Sequence, residues 1–292
     1  MIRGCLGGVR VGDGCDVVVM GAINVSPESF YAGSVATSRD ELLRVAEGMA
    51  EGGAALLDVG AMATAPYRQT AISPEEEAER LGAAIALLSG KLGVPLSADT
   101  SRAIPARAAL EAGARVINDV RGLTGDPGLG QVVSRAQAGL VVMASERASN
   151  DASNQGGHDG AAPVEVVLGL LEESVRLALQ AGIAAHQIAI DPGIGFFRDR
   201  GMAWHEWDCR VLACLPRLRT LGRPVCLGVS RKSFIGALAG VEDPAGRLPG
   251  SLAATAAGVL GGAHVIRTHD VAETRQAVRV AEAVRRAREA AP

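Results

Sequence analysis

Short apolar runs rich in β-branched residues recur along the chain, and a longer stretch with helical spacing follows each of them. The runs fall at residues 17–24, 55–59, 94–99, 115–118, 139–143, 187–191, 224–228 and 263–268. One helical stretch opens on Thr37, Ser38 and Asp40 as capping residues and stops at Gly52 and Gly53. Another opens at Ser73, with Pro74 in its first turn and Glu75 and Glu76 at the positive end of its dipole. Residues 103–111, 126–136, 164–180, 208–221, 251–261 and 270–290 complete the helical series.

Strands and helices alternating in this way predict an α/β fold, a (β/α)8 TIM barrel. It would form a single domain, residues 1–292, with its core between about 16 and 285. A doubly wound sheet of the same elements would need a reversal of strand order, which the sequence does not reveal. Three loops break the rhythm, at 26–38, 61–73 and 145–162; the last is polar and Gly-rich and reads as mobile.

Composition narrows the function. The 29 Lys and Arg against 32 Asp and Glu leave a net charge of −3, too little positive field for a broad nucleic-acid surface. With 48% hydrophobic residues the chain is globular rather than disordered. Five cysteines without a CxxC pair do not form a disulfide framework or a zinc site. No apolar run reaches the roughly 18 residues of a membrane span, and the N-terminus lacks a signal-peptide core, so a cytoplasmic protein with no membrane contact is expected.

Polar residues gather at the C-terminal ends of the predicted strands, where a barrel of this type carries its chemistry. Asn24, Asp99, Asn118, Asp119 and Asp191 end strands, and Ser230, Arg231, Lys232 and Ser233 follow the seventh. Arg267, Thr268, His269 and Asp270 close the eighth. Any one Asp or Asn here reads equally as the N-cap of the next helix. The whole set does not, because Lys, Arg and His are not N-caps. Asp58 falls inside its strand and keeps the cap or packing reading. Carboxylates and carboxamides suit a flat heterocycle with several N–H donors and a carbonyl, whereas Arg and His suit an anion. Asn24 adds a neutral oxygen for a hard cation such as Mg2+.

Four blocks carry a resemblance. They are residues 20–30 (Met-Gly-Ala-Ile-Asn-Val-Ser-Pro-Glu-Ser-Phe), 191–196 (Asp-Pro-Gly-Ile-Gly-Phe), 230–236 (Ser-Arg-Lys-Ser-Phe-Ile-Gly) and 267–271 (Arg-Thr-His-Asp-Val). Together, and in this order, they resemble the dihydropteroate synthase family over residues 16–285. The resemblance implies a transferase of folate biosynthesis. Such an enzyme joins 6-hydroxymethyl-7,8-dihydropterin diphosphate to an arylamine, p-aminobenzoate by default, and releases pyrophosphate. It implies a pterin pocket of Asp99, Asn118, Asp191 and Lys232, and a diphosphate end of Asn24, Arg267 and His269. Lys232, Arg267 and His269 would act in catalysis, and Asn24 would bind Mg2+. Thr64, Pro66 and Ser233 fall on the arylamine side, and family members are commonly homodimers.

The chain departs from the family on that side. Residues 62–67 read Met-Ala-Thr-Ala-Pro-Tyr where the family has approximately Glu-Ser-Thr-Arg-Pro-Gly, so Ala65 replaces an arginine. Ala32 replaces a larger residue in the first loop, and Ala144 replaces a histidine after the fifth strand. Three shortenings on one rim predict a widened acceptor site, with Ser233, Arg231 and Arg198 left to meet an anion. They leave open a ribofuranosylaminobenzene phosphate acceptor, as in methanopterin biosynthesis, and a non-catalytic pterin-binding protein. Pterin-dependent methyltransferases share the barrel but have no need of an anion site at Arg267 and His269.

Overall fold

The computed structural model describes residues 1–25, 38–62, 72–145, 162–198 and 201–290. A hairpin of β1 (Arg3–Leu6) and β2 (Val9–Gly12) precedes the barrel and was not anticipated. Its turn, Gly7-Gly8, takes φ of 59° and 94°, the two positive values that a two-residue hairpin turn requires. Then come β3 (Val18–Asn24), β4 (Leu56–Gly60), β5 (Leu96–Asp99), β6 (Val116–Asp119) and β7 (Gly139–Met143). After these follow β8 (Ile188–Asp191), β9 (Cys226–Gly228) and β10 (Val265–Thr268). All eight expected strands form within one or two residues of their expected ends.

These eight strands pair in parallel and in chain order from β3 to β8, with β10 joining β3 to β9. A bridge between Ile190 and Val225, with Ile190 N donating to Pro224 O, joins β8 to β9 and closes the ring. Sequential order without a reversal makes this a barrel and excludes the doubly wound sheet.

Nine helices are described: α1 (Arg39–Glu51), α2 (Pro74–Ser89), α3 (Ala103–Glu111), α4 (Leu129–Arg135) and α5 (Pro163–Gln180), then α6 (Trp204–Ala213), α7 (Ser233–Ala239), α8 (Leu248–Leu260) and α9 (Val271–Glu289). Ser38 and Ser73 cap α1 and α2 as expected, their hydroxyls accepting from Glu41 N and Glu76 N. The helix expected over 208–221 starts earlier, at Trp204, and gives way to a 3₁₀ segment over Leu215–Leu221. Pro216 explains the break, because it has no N–H and its ring crowds the preceding turn. None of the described helices is long and apolar enough to cross a membrane. The described cysteines are free.

Parity along the strands divides the interior. At the N-terminal end Val18, Met20, Leu56, Val116, Val141, Ala189, Cys226 and Val265 pack together with Leu6 and Val11 of the hairpin. The hairpin thus plugs the bottom of the barrel. The alternate residues, such as Val19, Ile23, Leu57, Val59, Ile117 and Ile190, face outward beneath the helices. Above this floor the inward positions of five strands turn polar: Asp58, Asp99, Asn118, Asp191 and Arg267. The apolar floor fixes the height at which those side chains stand.

Candidate active site

Asp58 is the hub of the polar layer. It is fully buried, and it accepts from Ser97 Oγ at 2.6 Å, Asn118 Nδ2 at 2.9 Å and Arg267 Nε at 2.6 Å. It is neither a cap nor an inert packing residue, which corrects the sequence expectation. Cross-strand register puts Asp58 beside Ser97, and Asp99 beside Asn118. Arg267 Nη2 also donates to Asp99 Oδ2 at 2.9 Å, so one guanidinium serves two carboxylates. Asp99 Oδ1 is buried with no hydrogen-bond partner. An orphaned buried acceptor is costly unless a ligand supplies a donor. Burial, reinforced by the carboxylates of Asp58, Glu77 and Asp119, pushes the Asp99 pKa up, although Arg267 opposes it. Asn24 ends β3 beside this pair: a side chain at Gly60 would meet Asn24 Oδ1 at 3.4 Å and Asp99 Cβ at 3.5 Å.

The turn after β8 builds the opposite wall. Asp191 Oδ1 accepts from Gly193 N at 2.8 Å, and Gly193 and Gly195 take φ of 73° and 85°. A Cβ at Gly193 would lie 2.4 Å from Ala144 O, so only glycine fits there. Asp208 of α6, which the sequence reading passed over, accepts from Gly195 N at 2.8 Å and fixes the end of the turn. Lys232 lies against this turn with Nζ 4.4 Å from the Phe196 ring centroid. Burial, with help from Arg267, lowers the Lys232 pKa to about 8 against the pull of Asp191 and Asp208. Burial raises Asp191 to about 6, opposed by the Gly193 N–H and by Lys232 and Arg267.

Two contacts tie the loops after β9 and β10 together. Ser230 Oγ lies 3.0 Å from His269 Nδ1, and Arg231 forms a bidentate pair with Asp270 at 2.9 and 2.6 Å. Arg231 also donates to the carbonyls of Pro244 and Ala245 and is only 4% exposed. It is therefore a buried clamp and not an anion partner at the mouth. Ser233 opens α7, and Arg198 Nη2 donates to its Oγ at 2.9 Å while lying over Trp204. Ala144 does not line a rim: it is fully buried and its N–H donates to Asp191 O. Thr64, Pro66, Ala32 and Ala65 lie outside the described residues.

The described residues thus bring together Asn24, Asp99, Asn118, Asp191, Lys232, Arg267 and His269 at the C-terminal mouth. No group of three His, Cys, Asp or Glu suited to a metal occurs among them. One neutral oxygen, that of Asn24, fits a Mg2+ held mainly by substrate phosphates and water. Carboxylates deep in the barrel beside a lysine can accept N–H donors from a flat heterocycle. Arg267 in the same layer and His269 on the loop after β10 can donate to an anion and stabilise the charge that builds on a leaving group. Among the described residues the hydroxyl–imidazole contact is Ser230 with His269, in the anion half of the mouth, and the layout fits displacement by positioning.

Comparison with known proteins agrees. Residues 20–269 match the family described as pterin binding enzyme. Dihydropteroate synthase of Synechocystis is 36% identical over 91% of this chain and 89% of its own. That of Escherichia coli K12 is 35% identical over 93% of each. Among solved structures, Xanthomonas albilineans dihydropteroate synthase with 4-aminobenzoic acid superposes with a TM-score of 0.82, at 36% identity over 99% of both chains. The same protein with 7,8-dihydropteroate gives 0.79, at 34% identity over 100% of both.

Proposed function

This chain belongs to the pterin-binding enzyme family, and from that we infer that it condenses 6-hydroxymethyl-7,8-dihydropterin diphosphate with p-aminobenzoate in folate biosynthesis. The observation that carries this reading is the buried polar layer itself. Asp99 offers an unpaired buried oxygen and Asp191 an acceptor beside Lys232, on the floor of an apolar-lined barrel. Asp99 and Asp191 accept the ring and amino N–H groups of the pterin, Asn118 adds a carboxamide, and Lys232 donates to the ring carbonyl. Arg267 leaves part of its charge to Asp58 and Asp99 and faces the diphosphate with the remainder, together with His269.

In the reaction the methylene C–O bond to diphosphate breaks and a C–N bond to the arylamine forms. The amine loses a proton and pyrophosphate leaves. The ring nitrogens stabilise positive charge at the methylene, and the protein holds that ring in place. Asn24 would hold a Mg2+, which when bound supplies charge neutralisation at the diphosphate. Ser233 and Arg198 would take the carboxylate of the acceptor. The wider acceptor expected from three shortened side chains loses support at Ala144, which is buried in the sheet. The 4-aminobenzoic acid in the X. albilineans structure supports p-aminobenzoate instead.

Calorimetric titration tests the pterin half. Lys232→Ala is expected to weaken binding of the pterin diphosphate by about 1.5–3 kcal/mol, as for a hydrogen bond involving a charged group. An unchanged affinity removes Lys232 from the pocket. A pH profile tests the charge states. The kcat/KM for the pterin diphosphate reports the free enzyme and should be bell-shaped. It falls on the acid side as Asp99, raised by burial, and Asp191, raised to about 6, take up protons and lose an acceptor oxygen, and above about 8 as Lys232 loses one. Asp191→Asn should remove the Asp191 part of the acid limb and leave the part set by Asp99; an acid limb unchanged in that variant contradicts the assignment.

A further inference from the structure

Ser230 is 5% exposed and its hydroxyl oxygen meets His269 twice. It accepts the backbone N–H of His269 at 3.3 Å and lies 3.0 Å from the ring Nδ1. Among the described residues the Ser230 hydroxyl meets no other acceptor. Its single proton therefore has one good destination, the lone pair of Nδ1. A neutral imidazole that accepts at Nδ1 carries its own proton on Nε2.

We propose that Ser230 is a positioning residue that holds His269 in the Nε2–H tautomer, so that the ring nitrogen facing away from Ser230 is a donor. The use of that donor rests on the reading above, in which the diphosphate lies at Arg267 and His269. Charge supports the neutral ring. Burial comes first, and the cations Arg267, Arg231 and Lys232 add to it, pushing the His269 pKa down to about 3. A neutral imidazole flips freely between tautomers in water, and the wrong one would turn a lone pair toward the anion's oxygens. One hydroxyl on the neighbouring loop removes that ambiguity. The Arg231–Asp270 clamp, one residue further along both loops, keeps the two partners in register.

The test is a long-range proton–nitrogen correlation spectrum of the ligand-free, histidine-labelled protein at neutral pH. The chain has 5 histidines, and a His269→Gln variant identifies the signal. The expected result is a protonated Nε2 and a lone-pair Nδ1 at His269. Ser230→Ala should shift the ring toward the Nδ1–H form and weaken binding of inorganic pyrophosphate about tenfold. Ser230→Thr, which keeps the hydroxyl, should restore both. An Nδ1–H ring in the unsubstituted protein, or an unchanged tautomer in Ser230→Ala, overturns the assignment. The unsubstituted spectrum decides even if the alanine variant does not fold. The expected tautomer without pyrophosphate affinity in the unsubstituted protein would overturn the diphosphate reading, a failure distinct from the wrong tautomer.

Discussion

Arg267→Ala is expected to cost the ligand-free protein roughly 3–5 kcal/mol of stability, the usual price of breaking a buried ion pair from one side. Arg267 bonds Asp58 at 2.6 Å and Asp99 at 2.9 Å, and both carboxylates are buried. Removing the guanidinium leaves two like charges facing each other in a low dielectric. Asp58 keeps Ser97 and Asn118 as donors, so the strain falls on Asp99, one of whose oxygens already lacks a partner. The sign with pH follows. Burial already raises the Asp99 pKa, and without Arg267 it rises further. The folded variant then holds a proton that the unfolded chain releases, so the deficit shrinks as pH falls. Urea unfolding of the variant at neutral and mildly acidic pH checks this, and Asp99→Asn in the Arg267→Ala background should recover part of the loss. A variant as stable as the parent at neutral pH would show that the pair is not formed.

Asp191→Ala should weaken ligand binding through three losses at once. Its Oδ1 holds the Gly193 N–H, and its carboxylate stands beside Lys232 at the end of β8. Alanine removes the acceptor for the pterin, the anchor of the glycine turn and a partner of Lys232 together. Affinity for the pterin diphosphate should fall by at least roughly tenfold, because donors buried in the complex are left unpaired. Asp191→Asn should be milder, since one acceptor oxygen and the turn contact survive. Titration calorimetry reads the loss directly, and full affinity in the alanine variant would mean that the heterocycle lies elsewhere.

The barrel was legible because its strands are written in a strong code. Apolar runs such as those at 139–143 and 187–191 are buried from both sides, so nearly every position is apolar until the strand reaches the mouth. Where the pattern turned polar, at Asp99, Asn118 and Asp191, the site was legible too. Asp58 escaped because it stands lower in its strand, yet its parity matches Leu56 below it, which faces the barrel interior. Counting in twos from the apolar floor would have found it. Arg231 was misplaced because its neighbours Ser230 and Lys232 do reach the mouth. Its own φ of 54° turns the chain between them and sends the guanidinium to Asp270. No sequence pattern announces a left-handed arginine. Ala144 read as a rim residue, but its N–H extends the β7–β8 ladder by one rung and keeps it inside. The hairpin and the seven-residue α7 are too short for periodicity to register.

The most direct measurement of the central claim is the product itself. The protein, supplied with Mg2+, 6-hydroxymethyl-7,8-dihydropterin diphosphate and p-aminobenzoate, is followed by mass spectrometry alongside pyrophosphate release. The account predicts 7,8-dihydropteroate and pyrophosphate in equal amounts, with neither formed when p-aminobenzoate is left out. Pterin diphosphate that binds but releases no pyrophosphate with p-aminobenzoate, or that reacts only with a bulkier arylamine, would contradict it.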